Sequence, residues 1–433
     1  MEFSYETIKE LARQTGRRVT DLIALAAQND PFYTGTPGEV ALAEWFAEFY
    51  HASYAPGTKV HVRRCHYNIV SRALILPNGK PYENTEECWG TLLLATKAAR
   101  YLRLVDVAAF EDKKHAEPID HSPALPGIAS IYVNDYLYSS DLQLPEFPNL
   151  PSFGLASYEP IQPYHMELWC EKTTMNDILI PLCQRYGMVL QTGAGELSIT
   201  ATKALAERIE RIGKPTRVFY ISDYDPAGQS MPVAVARKLE YFIRTDQIET
   251  DVRLFPVVLT AEQVQQYQLP RTPIKESERR KESFEARHGQ GATELDALEA
   301  LRPGELQRVL RRYIEGYYDT TLERRANPII DTLRDDLRLV RSEVIGRYED
   351  QITAAREQLE AIRNDMGARM QTYGDTIQQL WQAMSDEMQS NAPDIDEYPL
   401  PAARQATEIG PGLYNSERDY LEQIDVYKQF QGK

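Results

Sequence analysis

Cysteine is scarce: Cys65, Cys88, Cys170 and Cys183 are the only four in 433 residues, far apart, with no CxxC pair and no histidine at ligand spacing. That pattern excludes a disulfide framework and a structural zinc, and it fits a reducing cytosol. Long apolar runs are missing too, and none approaches the roughly 20 residues needed to span a bilayer. Met1-Glu2-Phe3-Ser4-Tyr5-Glu6 lacks the basic start and apolar stretch of a secretory signal. There is no GxxxxGKS or GxxxxGKT sequence, so no P-loop and no nucleotide cofactor is expected. Positive charge is in short supply: the net charge is −16, which argues against a protein that coats DNA. Internal repeats and low-complexity tracts are absent. What is present is an ordinary balance, 42% hydrophobic and 26% charged, in a chain long enough for two or three domains. The expectation is a cytoplasmic chain with no membrane partner.

The charge is unevenly spread. Lys59 to Arg103 holds eight Lys/Arg against three Glu, and Arg271 to Lys281 holds five against two. From Asp386 onward ten acids face four bases. An acidic chain with two basic segments can hold nucleic acid locally, or can simply carry solvated surface charge.

Periodicity divides the chain. Residues 1–52 read as an N-terminal helical segment, with helices over Thr7–Ala27 and Val40–Tyr50, Thr36 as a cap and Pro37 as first helical residue. Residues 53–125 read as a winged-helix domain: helices over His61–Leu74 and Thr85–Leu102, a turn at Pro77–Pro81, and a wing strand starting at Leu104-Val105-Asp106-Val107. Residues 126–163 are a connecting segment rich in Pro, Tyr and Ser, with short strands such as Ile131-Tyr132-Val133. From Tyr164 to about 320 strands and helices alternate: His165–Cys170, Asn176–Tyr186, Met188–Gln191, Ser198–Ile212, Arg217–Ser222, Gly228–Thr245 and Val252–Val258. That alternation means an α/β fold with a parallel sheet covered on both faces. Residues 321–390 form a helical arm, suited to packing or dimerisation, and 391–433 an acidic, loosely ordered tail.

The chemistry-bearing residues stand at strand ends. Glu171 closes the first strand of the alternating region, and Asp223-Tyr224-Asp225-Pro226-Ala227-Gly228 follows the third. Ligands of open parallel sheets bind outside the carboxyl ends of the strands. Asp223 and Asp225, two apart in extended chain, point the same way. With Glu171 they make three carboxylates that repel one another unless a cation or proton neutralises them. All-oxygen ligation suits Mg²⁺, with Mn²⁺ as the alternative. Read alone, Asp-x-Asp before Pro and Gly is equally a strand-to-helix turn with a capping Asp.

Glu171, Gly193-Ala194-Gly195 opening a helix, and Asp223-Tyr-Asp225-Pro-Ala-Gly228 together resemble the Toprim domain. The Asp-x-Asp-Pro-x-Gly form is similar to the A subunit of topoisomerase VI and its relative, the meiotic double-strand-break transesterase. Leu269-Pro270-Arg-Thr-Pro273-Ile-Lys275 and Glu294-Leu-Asp296-Ala-Leu298 are similar to short mobile-element relatives called Mini-A. The resemblance covers residues 40–320. It implies that Glu171, Asp223 and Asp225 bind Mg²⁺, and that a catalytic tyrosine lies upstream in an Arg-x-x-x-Tyr helix on a winged-helix domain. Arg63-Arg64-Cys65-His66-Tyr67 matches in order. The family cuts double-stranded DNA as a homodimer, the tyrosine of one protomer working with the metal site of the other. No ATPase domain like that of the family's B subunit is recognised, so strand passage would require a separate ATPase partner chain.

The residues of that helix carry their own argument. Arg63 and Tyr67 are one helical turn apart and share a face. A phenol of pKa about 10 is a poor nucleophile at neutral pH. A guanidinium and a metal ion nearby would favour the phenolate and hold a phosphate. Against this, the chain has 26 tyrosines, and Tyr67 reads equally as a core ring. His66 either orients the phenol or packs. Glu171 is also a candidate general acid/base. Lys172, Arg63, Arg64, Arg271, Lys275, Arg279 and Arg280 are candidate DNA contacts through phosphate, each with a solvated-surface alternative. The expected activity is a Mg²⁺-dependent type IIB topoisomerase-like transesterase that links DNA to Tyr67. Its rivals are a Toprim nuclease that hydrolyses DNA, as in Wadjet-type plasmid defence, and a non-catalytic DNA-binding scaffold.

Overall fold

The computed structural model describes residues 4–110, 117–124, 127–135, 146–193, 198–364, 370–407 and 409–432. The chain is mixed α/β and divides into two compact units. One comprises residues 1–123, 163–318 and 406–433, and the other 124–162 and 319–405. The strands, in chain order, are β1 (Ile119–Asp120), β2 (Ser130–Asn134), β3 (Ser152–Ala156) and β4 (His165–Cys170). Then come β5 (Val189–Thr192), β6 (Thr216–Ile221), β7 (Val252–Val258) and β8 (Tyr414–Asn415).

The first unit begins with α1 (Tyr5–Thr15), α2 (Pro37–Ser53), α3 (Val62–Ser71) and α4 (Glu86–Tyr101). The helix expected over 7–27 stops early, because Gly16 turns the chain left-handed at φ 67° and only a short 3₁₀ turn follows at Val19–Leu22. Thr36 and Pro37 start α2 as expected. Phe46, Tyr50, Cys65, Ile69, Leu92, Ala95 and Phe110 form the core among α2, α3 and α4. The wing strand expected at Leu104–Val107 is not formed. That stretch is turn, and Phe110 makes a single parallel bridge to Val60 instead.

The main sheet has the order β1-β5-β4-β6-β7-β8. Its middle four strands are parallel, while β1 and β8 run antiparallel at the edges, so the sheet is mixed where a purely parallel one was expected. Every residue of β4 and β6 is buried, as befits strands covered on both faces. The covering helices are α5 (Asn176–Tyr186), α6 (Ile199–Ile212), α7 (Pro226–Thr245), α8 (Ala261–Gln266), α9 (Lys281–His288), α10 (Leu295–Leu301) and α11 (Glu305–Tyr317). Alternation sorts the strand residues. Trp169, Val218 and Tyr220 face Leu205, Ile209, Leu239 and Phe242 of α6 and α7. Leu168, Phe219 and Ile221 face Leu179 and Leu182 of α5 and Leu310 and Ile314 of α11.

In the second unit β2 and β3 form an antiparallel hairpin beside α12 (Leu322–Arg347), α13 (Glu349–Asn364) and α14 (Met370–Ser390). Trp381 donates its indole N–H to the Asn149 carbonyl at 3.1 Å, and Arg341 donates to the Pro151 carbonyl at 2.7 Å. These contacts hold the segment before β3 on its own unit.

The last residues correct an expectation. Residues 391–433 read as a loosely ordered tail, but within them β8 closes the sheet edge and α15 (Tyr420–Gln431) buries Tyr420, Ile424 and Tyr427. Tyr420 closes a charge network around Arg237, which is 0% exposed on α7. Arg237 bonds Asp30 at 3.1 Å and Glu240 at 2.9 Å, and lies 3.9 Å from the Phe32 ring centroid. Two chain segments far apart in sequence are thereby tied to one helix. Among the described residues no helix is long and apolar enough to cross a membrane.

Candidate functional site

The carboxyl ends of β4 and β6 lie side by side in register, Cys170 opposite Ile221, so the residues after them meet. Glu171 is buried and accepts a hydrogen bond from the Asp223 backbone N–H at 2.7 Å. Asp223 accepts from the Leu295 N–H at 2.6 Å through Oδ1, and its Oδ2 is 2.9 Å from Lys172 Nζ. Lys172 also reaches Asp296 at 2.9 Å and bonds Glu294. The partner segment is clamped in place: Tyr224 and Thr293 exchange two backbone hydrogen bonds, each at 2.9 Å. Lys172 is thus the shared counter-ion of three carboxylates.

The Asp-x-Asp-Pro-x-Gly motif has a geometric explanation. Asp225 caps α7, its Oδ1 accepting from the Gly228 N–H at 2.6 Å, and Pro226 occupies the first helical turn. A Cβ on Gly228 would stand 2.1 Å from the Asp223 carbonyl oxygen, so no other residue lets the helix start so close to the strand end.

Burial pushes the Glu171 carboxyl up to about 8, and the Asp223 and Asp225 charges add to the effect. Asp223 is also raised, because burial outweighs its Leu295 and Lys172 bonds. Lys172 is raised by its three carboxylate bonds, which overcome its own burial. The cluster therefore holds more negative charge than Lys172 neutralises. Among the described residues, however, no three His, Cys, Asp or Glu side chains form a set that could hold a metal ion. The reason is visible in the bonds: Asp225 is engaged in its helix cap and Lys172 occupies Asp223. Glu171 is the carboxylate left to meet Mg²⁺, and Asp223 joins it only where the ion displaces Lys172 from Oδ2, enough only for an ion that keeps most of its waters.

Tyr67 lies on α3 and is 61% exposed, so it is not a core ring. Its hydroxyl has no hydrogen-bond partner among the described residues. His66, one position earlier, is buried, with Nδ1 2.7 Å from the Tyr82 hydroxyl and Nε2 3.0 Å from Asn84 Oδ1. It packs edge-on against Tyr67, ring centroids 5.1 Å apart, and both its nitrogens are committed elsewhere. Arg63 and Arg64 are exposed. They belong to a larger pattern: between Glu48 and Glu83 there is no acid, and the five cations Lys59, Arg63, Arg64, Arg72 and Lys80 are all exposed. None of the five forms an ion pair among the described residues.

The remaining expected DNA contacts are placed differently from one another. Arg271 donates to the carbonyls of His288, Gly289 and Gly291 and stacks on Tyr224, which makes it a clip for the 288–291 turn. Arg280 bonds Glu278 at 2.8 Å. Lys275 and Arg279 are exposed. Gly193 sits at the end of β5, whereas Ala194 and Gly195 lie outside the described residues. Glu294 and Asp296 are site residues that sequence reasoning missed. Their signal was the Glu294-Leu-Asp296 stretch already quoted for its resemblance, an acidic cap and first turn of α10 that gives no sign of a site until the chain folds it against Lys172. No protein-family model matches the chain, and no curated protein matches it.

Proposed function

We propose that the chain is a DNA-cleaving enzyme of the topoisomerase VI A-subunit type, with a Toprim-like sheet and a winged-helix-like tyrosine domain. The observation that carries the reading is the acid-free stretch 49–82: five exposed, unpaired cations around an exposed Tyr67, in a protein of net charge −16. Unpaired cations in an acidic chain suit a polyanion such as the phosphate backbone.

In this reading Arg63 holds a backbone phosphate one helical turn from Tyr67. The Tyr67 oxygen attacks phosphorus and gives its proton to solvent, the bond to a deoxyribose oxygen breaks, that oxygen takes up a proton, and a phosphotyrosyl link and a free hydroxyl end remain. The bond energy is conserved for resealing. Glu171 is the candidate general acid/base of the step where no metal ion claims its carboxylate. Glu171 and Asp223 would hold Mg²⁺, or Mn²⁺, which when bound neutralises phosphate charge. A homodimer would supply two composite sites and cut both strands of the duplex, and strand passage would need a separate ATPase chain.

The test is supercoiled plasmid with protein and Mg²⁺, stopped with detergent and run with and without protease, wild type beside Tyr67→Phe. Broken DNA that carries protein, and that disappears in the variant, supports the reading. Cleavage that survives Tyr67→Phe with ordinary ends replaces it with a hydrolytic Toprim nuclease. No cleavage by either protein, with DNA binding retained, replaces it with a binding scaffold.

A further inference from the structure

Helix α11 splits into two faces. Leu306, Val309, Leu310, Ile314 and Tyr317 are buried in the core against the sheet. The other face repeats at helical spacing through Gln307, Arg308, Arg311, Arg312 and Glu315, and these five with Gly304, which caps the helix, line a cavity of about 430 Å³. A row of arginines on the outer face of a helix is ordinarily just solvated surface. Two observations set this one apart.

The first is the concavity, of a volume that accepts a small polyanion. The second is the balance of charge: three arginines face one acid, and that acid, Glu315, already accepts the Tyr186 hydroxyl. Arg308 is held by Glu305, whereas Arg311 and Arg312 form no ion pair among the described residues.

We propose that this groove is a phosphate-binding site in which Arg311 and Arg312 grip adjacent anionic oxygens. The planar guanidinium fork matches phosphate oxygens, and two forks one position apart on a helix suit a ligand with more than one phosphate. Two sources offer that chemistry: a polynucleotide backbone running along α11, or a free oligophosphate. The site does not depend on Tyr67 or on cleavage.

The test uses the full chain with two probes, inorganic tripolyphosphate by isothermal titration calorimetry and a fluorescein-labelled 20-base-pair duplex by anisotropy. Wild type is compared with Arg311→Gln/Arg312→Gln and with Arg312→Glu alone, whose exposed position leaves folding intact; thermal melts check both. Loss of tripolyphosphate affinity by about tenfold or more in both variants supports a free-oligophosphate site. A similar loss for the duplex, with a salt dependence shallower by roughly one per lost contact, supports a backbone site. Affinities for both probes unchanged in Arg312→Glu overturn the proposal. Tyr67→Phe is expected to leave tripolyphosphate binding unchanged, so failure of the cleavage reading and failure of this site are distinguishable.

Discussion

The strand-end cluster and the acid-free stretch around Tyr67 use charge in opposite ways. At the ends of β4 and β6 one lysine is shared among Asp223, Glu294 and Asp296, and its charge is spent inside the protein. Along residues 49–82 five cations stand exposed with no carboxylate among them. The buried network at Arg237 is the extreme of the first kind, with Asp30 and Glu240 also fully buried. Charges answered internally hold the fold, because burial makes an unpaired one expensive. Charges left unanswered at the surface contribute little to stability, and they are available to a partner. The two regions should therefore respond to substitution in opposite observables.

The largest stability effect is expected at Arg237. Arg237→Met leaves Asp30 buried without its cation and Glu240 with Arg244 alone, and should cost about 3–5 kcal/mol in denaturant unfolding; a loss below about 1 kcal/mol would remove the network from the account. Next comes Glu171. Its folded pKa of about 8 lies above the ordinary 4.5. The folded chain thus keeps a proton that the unfolded chain has released, and stability falls as pH rises from about 4.5 towards 8. Glu171→Gln should flatten that decline, recovering on the order of 3 kcal/mol at pH 8 relative to wild type. A stability profile identical to wild type across this window would contradict the burial argument. Lys172→Met strands three carboxylates at a partly exposed site and should cost about 1–2 kcal/mol at low salt, with part of the loss restored at high salt by screening. Equal melting temperatures at low and high salt would count against Lys172 as counter-ion. The smallest effect is expected at Tyr67: its hydroxyl is exposed and unbonded, so Tyr67→Phe should shift unfolding by less than about 0.5 kcal/mol. A larger shift would make the ring structural and blur the contrast.

Much of the α/β region was legible in the sequence. β4, α5 and β7 run over the residues that their apolar runs indicate, because buried parallel strands bounded by capped helices leave little freedom. The edges of the sheet were not legible. Each of β1 and β8 is two residues long, too short for any period, and each exists only because a neighbouring strand pairs with it. The acidic composition of residues 391–433 masked the spaced rings of Tyr414, Tyr420 and Tyr427, which the sheet and α7 bury. At the site, the strand-end positions of Glu171 and Asp223 were readable from the βα alternation. The capping role of Asp225 was one of two open readings, and its 2.6 Å bond to the Gly228 N–H makes the cap real. Lys172 looked like a DNA contact, since its three carboxylate partners come from more than 50 residues away. Pairing of that kind is a property of the fold alone.

The central contrast is tested most directly by binding of a labelled 20-base-pair duplex as salt rises from 50 to 200 mM. Wild type would be measured beside a variant carrying Gln at positions 59, 63, 64, 72 and 80. Each phosphate contact steepens the slope of log K against log salt by about 0.9. The account predicts a variant that melts like wild type, binds at least about 100-fold more weakly at 50 mM, and has a slope shallower by roughly 3–5. Equal affinity and equal slope would contradict it, showing that the exposed cations around Tyr67 meet no polyanion.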